Sequence, residues 1–237
     1  MSEDVKVADS FRRKRKGIQY AMGWTLLEAM GFEFSSENVP EVDKCVLIAF
    51  PHTSNWDLPL MLGASYLGGI SISWLGKHTL FRGFGKPFFS WLGGVPVDRT
   101  APKGMVQQVV DVFDEHDSLF LAIPPEGTRT KTDGWKTGFY YIAHGAGVPI
   151  VPSYLDFKER KVGFGPPLMP TGDIEADFAI LREFYDGMEG LYPEWTSEVK
   201  VRGKRRYVKP PSKNTLGSRL VDIYKSMRPH KRPDDSK

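Results

Sequence analysis

The stretch "KCVLIAFPHTSNWDLPLM", Lys44–Met61, holds a strand, a loop and a helix start within eighteen residues. Cys45 to Phe50 is an unbroken apolar run, too short for a helix and not alternating. A strand of that kind is covered on both faces, as in a parallel sheet. Pro51 disfavours helical geometry at Phe50. Thr53, Ser54 and Asn55 are all helix N-cap formers, so a helix is expected near residues 55–67. Inside one continuous helix His52 and Asp57 would point ~140° apart. They can meet only if His52 lies in the loop and Asp57 in the first helical turn, pointing back. Asp57 would then hold one imidazole nitrogen and leave the other free to take a proton from a hydroxyl. A capping aspartate beside a structural histidine is the alternative these residues leave open.

The same alternation continues outward. "SISWLG" and "VPVD" read as short strands, "SLFLAI" as a buried strand and "VPIVPSYLD" as another. "FGKPFFSWLGG" reads as a helix with Pro87 in its first turn and glycines at its end. "PKGMVQQVVDVFDEHD" places Met105, Val109, Val112 and Phe113 on one helical face. "WKTGFYYIAHGAG" and "DIEADFAILREFYDGM" read as further helices, and "KERKVGFGPP" as part of a hairpin. The expected fold is a single α/β domain with a largely parallel, mixed central sheet covered by helices. In such sheets, ligands gather past the carboxyl ends of strands. Three polar clusters fall there: "PHTSNWD", "DR" at Asp98–Arg99, and "PEGTRT" at Pro125–Thr130.

The third cluster has the chemistry of an anion site. Gly127 lets the backbone approach a ligand, Thr128 offers a hydroxyl, and Arg129 presents a forked donor suited to phosphate or carboxylate. Glu126 can hold that arginine or a substrate hydroxyl, while Arg99 and Lys136 are further candidate cations. A surface turn with a Glu–Arg pair is the plain alternative. "GASYLG" and "WLGKHT" fail as a nucleophile elbow and a phosphate loop on spacing. His78, His116, His144 and His230 show no paired metal-ligand spacing, so no metal is expected. Cys45, the single cysteine, reads as a small buried hydrophobe.

Charge is distributed unevenly along the 237 residues. Residues 1–16 carry six Lys/Arg against three Asp/Glu, residues 17–199 carry 13 against 23, and residues 200–237 carry 13 against three. The basic ends point to an anionic partner, and a membrane surface, nucleic acid and an acidic carrier protein all fit. Residues 18–31, "IQYAMGWTLLEAMG", form an apolar helix that either lies at a lipid interface or docks on the core. The boundaries expected are a basic segment with an interfacial helix at 1–31, a catalytic domain at 32–199 and a basic extension at 200–237. No run approaches the ~20 apolar residues that cross a bilayer, and no secretory signal is evident.

Four blocks together resemble the glycerolipid acyltransferase family, typified by 1-acylglycerol-3-phosphate (lysophosphatidate) acyltransferase. They are H-x4-D at His52 and Asp57, "GGVPVDR" ending at Arg99, "PPEGTRT", and "VPIVP" at Val148–Pro152, and they cover roughly residues 44–155. Pro96 and Pro124 stand where the family carries aromatics. The resemblance implies that fold, with His52 as general base and Asp57 as its orienting partner. Arg99, Glu126, Gly127, Thr128 and Arg129 would hold the acceptor's glycerol phosphate, and "VPIVP" would shape the acyl side. The implied donor is acyl-CoA or acyl carrier protein, a co-substrate rather than a cofactor. The implied acceptor is a lysophospholipid, with glycerol 3-phosphate or a non-phosphate lysolipid as alternatives. The expected setting is peripheral, on the cytoplasmic face of an anionic membrane, without nucleic acid. A non-catalytic lipid-binding protein is the rival reading.

Overall fold

The structure is a computed structural model that describes residues 17–83, 87, 89–90, 93–97 and 104–203. In chain order the elements are α1 (Ile18–Ala29), β1 (Glu33–Phe34), β2 (Lys44–Phe50), α2 (Asp57–Gly68), β3 (Ile72–Lys77) and a 3-10 turn (His78–Phe81). They continue with β4 (Gly94–Val97), α3 (Gly104–Glu115), β5 (Leu119–Ile123), α4 (Gly138–Ala146) and β6 (Ile150–Asp156). Last come β7 (Lys161–Phe164), α5 (Ile174–Phe184) and a 3-10 turn (Pro193–Trp195). The helix expected over "FGKPFFSWLGG" falls largely outside the described residues.

The seven described strands form one sheet in the order β1-β7-β6-β2-β5-β3-β4. The five strands β6, β2, β5, β3 and β4 run parallel. The expected hairpin is present, with β7 antiparallel to β6 and Leu155 opposite Val162. Two-residue β1, which has too little sequence to betray a strand, is added parallel to β7. The central strand β2 explains its own composition. Val46, Ile48 and Phe50 face the cluster built with α3, α4 and α5, and Cys45 and Leu47 face the opposite side. All five are at most 3% exposed, which is why no polar alternation interrupts the run. Burial pushes the Cys45 thiol pKa far up, in line with its expected apolar role.

On the second face α1 lies against α2, with Leu27, Leu60, Met61 and Ala64 buried between them. The two helices cross closely at glycines: a Cβ on Gly23 would stand 2.7 Å from the Gly63 carbonyl oxygen. So α1 docks on the core through one side. Its other side leaves Ile18 79%, Met22 56% and Trp24 55% exposed. Helix α3 presents most of the expected face, with Val109 and Phe113 buried and Val112 packed against the core. Val110 is buried as well, while Met105 is 37% exposed, because α3 packs towards α4, where Gly145 receives Val110.

Connections place the site. From β2 the chain crosses through α2 to β3 on one side, and from β5 it crosses through α4 to β6 on the other. Since β2 and β5 are neighbours, their carboxyl ends open a crevice between diverging connections.

Candidate active site

Ala49 is followed by Phe50, Pro51 and His52, with His52 in the loop and Asp57 as the first residue of α2. The His52 Nδ1 stands 3.0 Å from Asp57 Oδ2. The same carboxylate accepts the Ser54 main-chain N–H at 2.9 Å on Oδ2 and the Ser54 hydroxyl at 2.6 Å on Oδ1. Ser54 Oγ in turn accepts from the Trp56 N–H at 3.1 Å. The anticipated capping role is therefore reversed. Trp56 occupies the N-cap position without a side-chain bond, and Ser54 serves the carboxylate instead. Asp57 also sits where the helix dipole favours negative charge. The Asp57 side chain is 4% exposed and the His52 ring 25%. With Nδ1–H donating to the carboxylate, the neutral ring carries its lone pair on Nε2, where a proton can be accepted.

The ring lines a cavity of about 890 Å³ between α2, β3, β5 and α4. Its walls are mostly apolar, with Leu58, Met61 and Leu62 from α2, Trp74 from β3, and Phe139 and Ile142 from α4. Arg129, Thr128 and Lys136 add polar groups to the same wall. Gly127 has φ +67°, in the left-handed region, and a Cβ there would stand 2.5 Å from the Lys136 Nζ. The absent side chain thus makes room for the ammonium group. Lys136 lies two residues before α4, with its N–H donating to the Pro125 carbonyl at 2.9 Å. The Thr128 hydroxyl is 3.2 Å from that of Thr130.

Glu126 and the "VPIVP" block stand elsewhere. Glu126 does not point into the cavity. It is 0% exposed, and its oxygens accept the main-chain N–H of His52 at 3.0 Å and of Ser197 at 3.1 Å. Desolvation raises its pKa above the ordinary glutamate range, opposed by those hydrogen bonds. It ties the loop at His52 to the segment at Ser197, and it is not among the residues lining the cavity. The "VPIVP" block is likewise internal: Ile150 and Pro152 pair with Val46 and Ile48 of β2, so it sets the β2 register and does not line the cavity. Arg99 lies outside the described residues. Ser197 and Thr53, which accepts from the Tyr192 N–H at 3.3 Å, were not anticipated, because their partners are 71 and 139 residues away in sequence. Among the described residues no group of three His, Cys, Asp or Glu is arranged to hold a metal ion.

Similar proteins add a separate line of observation. Over 121 residues the chain is 32% identical to 1-acyl-sn-glycerol-3-phosphate acyltransferase of Escherichia coli (strain K12), covering 47% of this chain and 46% of that protein. The enzyme of the same name from Haemophilus influenzae is 31% identical over 121 residues, with 47% and 48% covered. The chain spans about half the length of the curated relatives it matches. In fold it is similar to the crystal structure of the 1-acyl-sn-glycerophosphate (LPA) acyltransferase PlsC from Thermotoga maritima. That match has a TM-score of 0.50 and 20% identity, and covers 76% of this chain and 79% of the other. The family model described as Acyltransferase matches residues 32–156, more than half of the chain. That stretch contains His52, Asp57, the turn at Gly127 and Lys136, and the chain belongs to the Acyltransferase family.

Proposed function

We propose that this chain transfers a fatty acyl group from a thioester to the hydroxyl of a lysophospholipid, with 1-acylglycerol 3-phosphate the acceptor favoured by its relatives' names. The observation that carries this reading is the 3.0 Å contact between His52 Nδ1 and Asp57 Oδ2 on the wall of an apolar cavity that also holds Lys136 and Arg129. The acceptor O–H gives its proton to His52 Nε2 as its oxygen attacks the thioester carbonyl carbon. Asp57 stabilises the imidazolium that forms. The C–S bond then breaks, and the leaving thiolate takes the proton back from Nε2. Lys136 and Arg129 suit the phosphate dianion of such an acceptor, and the apolar walls suit an acyl chain. A thioester is activated enough that the residues named supply all the proton transfers.

The same reading puts the chain on an anionic membrane surface, at its cytoplasmic face where acyl-CoA and acyl carrier protein are found. Support comes from the exposed Ile18, Met22 and Trp24 on α1 and the cationic sequence around Arg12–Lys16. No described helix is long and apolar enough to cross a membrane. Sedimentation with vesicles tests this: neutralising Arg12–Lys16 should weaken binding to anionic vesicles more than to neutral ones.

The activity itself is tested by incubating the protein with acyl-CoA of graded chain length or acyl carrier protein, and a panel of lysolipid acceptors. Thiol release is followed together with product mass. Release that depends on a phosphorylated lysolipid supports the proposal. Lipid binding without thiol release over the whole panel would leave a non-catalytic lipid-binding protein in its place.

A further inference from the structure

Past residue 156, where the family match ends, segment 189–202 passes along three parts of the site. The Phe157 N–H donates to the Glu189 carbonyl at 2.9 Å, which holds the segment's start beside the end of β6. The Tyr192 N–H meets the Thr53 hydroxyl, and Gly190 packs so closely that a Cβ would stand 2.5 Å from Thr53 Oγ1. Ser197 contributes twice: its N–H binds Glu126, and its Oγ accepts the Thr132 N–H at 2.9 Å. Farther on, the Trp135 N–H donates to Lys200 at 2.8 Å and the Arg202 N–H to Trp135 at 2.9 Å. The turn that follows β5 is thus two-sided. Glu126, Thr132 and Trp135 bind this segment, while Gly127, Thr128, Arg129 and Lys136 line the cavity.

A carboxylate is costly to bury. Here its two oxygens accept N–H donors from two distant chain segments. Glu126 is 0% and Ser197 3% exposed, so water does not compete for either bond.

We propose that Glu126 and Ser197 are positioning residues for His52. The buried carboxylate spans the main-chain N–H of His52 and that of Ser197, so segment 189–202 sets where the imidazole stands relative to Lys136 and Arg129. The kinetic part of this inference rests on the acyl-transfer reading; the geometric part does not.

The test uses the full chain as wild type, Glu126→Gln and Ser197→Pro. Glutamine keeps one acceptor oxygen and loses the other. Proline at 197 removes the N–H to Glu126 together with the hydroxyl that accepts from Thr132, and Thr196 at φ −67°, ψ 125° already has the extended geometry that precedes proline. Turnover is measured with palmitoyl-CoA and 1-oleoylglycerol 3-phosphate. The low-field Nδ1–H resonance of His52, identified by its absence in His52→Ala, is read by proton NMR. Near-UV circular dichroism checks the fold. In both variants kcat should fall on the order of 100-fold, the effect of small misplacement of a reacting group, with acceptor KM unchanged and the resonance shifted or lost. Should Ser197→Pro fail to fold, Glu126→Gln decides. A raised acceptor KM at unchanged kcat would mean that Glu126 touches the acceptor, and would overturn the proposal. If the wild type turns over no thioester, the acyl-transfer reading fails and the resonance alone judges the positioning role, with an unchanged resonance in Glu126→Gln rejecting it.

Discussion

The His52 ring is oriented by bonds that span three to five residues of sequence, from Asp57 to His52 and Ser54. The turn after β5 is held by bonds that span 65 to 74 residues, from Glu126 to His52 and Ser197 and from Thr132 to Ser197. Both regions present charged side chains to one cavity, yet one is nearly self-contained and the other borrows its shape from remote chain. The imidazole–carboxylate pair is built locally, while its distance from the cations is a tertiary property. A local constellation forms as soon as α2 forms. A remote one must first meet the entropy of closing a long loop.

The sharpest attack on the locally built half is His52→Ala. Thiol release with acceptor present should fall by roughly 10²–10⁴-fold, the usual contribution of a general base, with the thermal transition nearly in place. Near-wild-type release from this variant would remove His52 from the mechanism. Asp57→Asn comes next. It leaves the side chain's shape but weakens the acceptor for Nδ1–H and for both Ser54 donors, so kcat should drop by about 100-fold with acceptor KM little changed. Stability should fall by about 1–3 kcal/mol in denaturant titration, since bonds to a buried charged acceptor are lost. An unchanged kcat would mean the carboxylate serves the loop alone.

Lys136→Ala probes the remotely held half. Losing one cation at the phosphate should raise acceptor KM by about tenfold at similar kcat, the pattern of uniform binding. Steady-state kinetics with acceptor varied checks this; a pure kcat loss would place Lys136 at the reacting carbonyl instead. The smallest effect concerns Glu126 and pH. Its raised pKa means that the folded state holds this proton more tightly than the unfolded chain. Its contribution is therefore fully present below the ordinary glutamate range and is lost as pH rises through the raised value. Glutamine does not titrate, so wild type should lose stability relative to Glu126→Gln as pH rises from the ordinary glutamate range through the raised value. A stability difference independent of pH would show that the carboxyl's ionisation is the same folded and unfolded.

Much of the architecture could be read from residues alone. The strand Lys44–Phe50, the hairpin at Asp156–Lys161 and the helix punctuated by Gly147 follow from short-range patterns and stand where expected. The placement of His52 ahead of α2 and Asp57 in its first turn followed from the angular argument, since only one geometry let them meet. Other features escaped. On α3, Val109, Val112 and Phe113 face the core as the periodicity implies, but only packing against α4 buries Val110 and leaves Met105 exposed. Glu126 looked like a ligand for an acceptor because "PEGTRT" is polar throughout. Nothing in that turn announces that its one carboxylate is aimed inward at a main-chain N–H from Ser197.

By itself, the order of residues determined where strands and helices lie and which imidazole–carboxylate pair can form, because both depend on periods and contacts within about one helical turn. Only the tertiary structure decided that β2 and β5 are neighbours, that Glu126 faces the interior, and that segment 189–202 closes behind the site. Those outcomes depend on which distant surfaces bury together. Many pairings satisfy the same local pattern, and packing and buried hydrogen bonds select one of them.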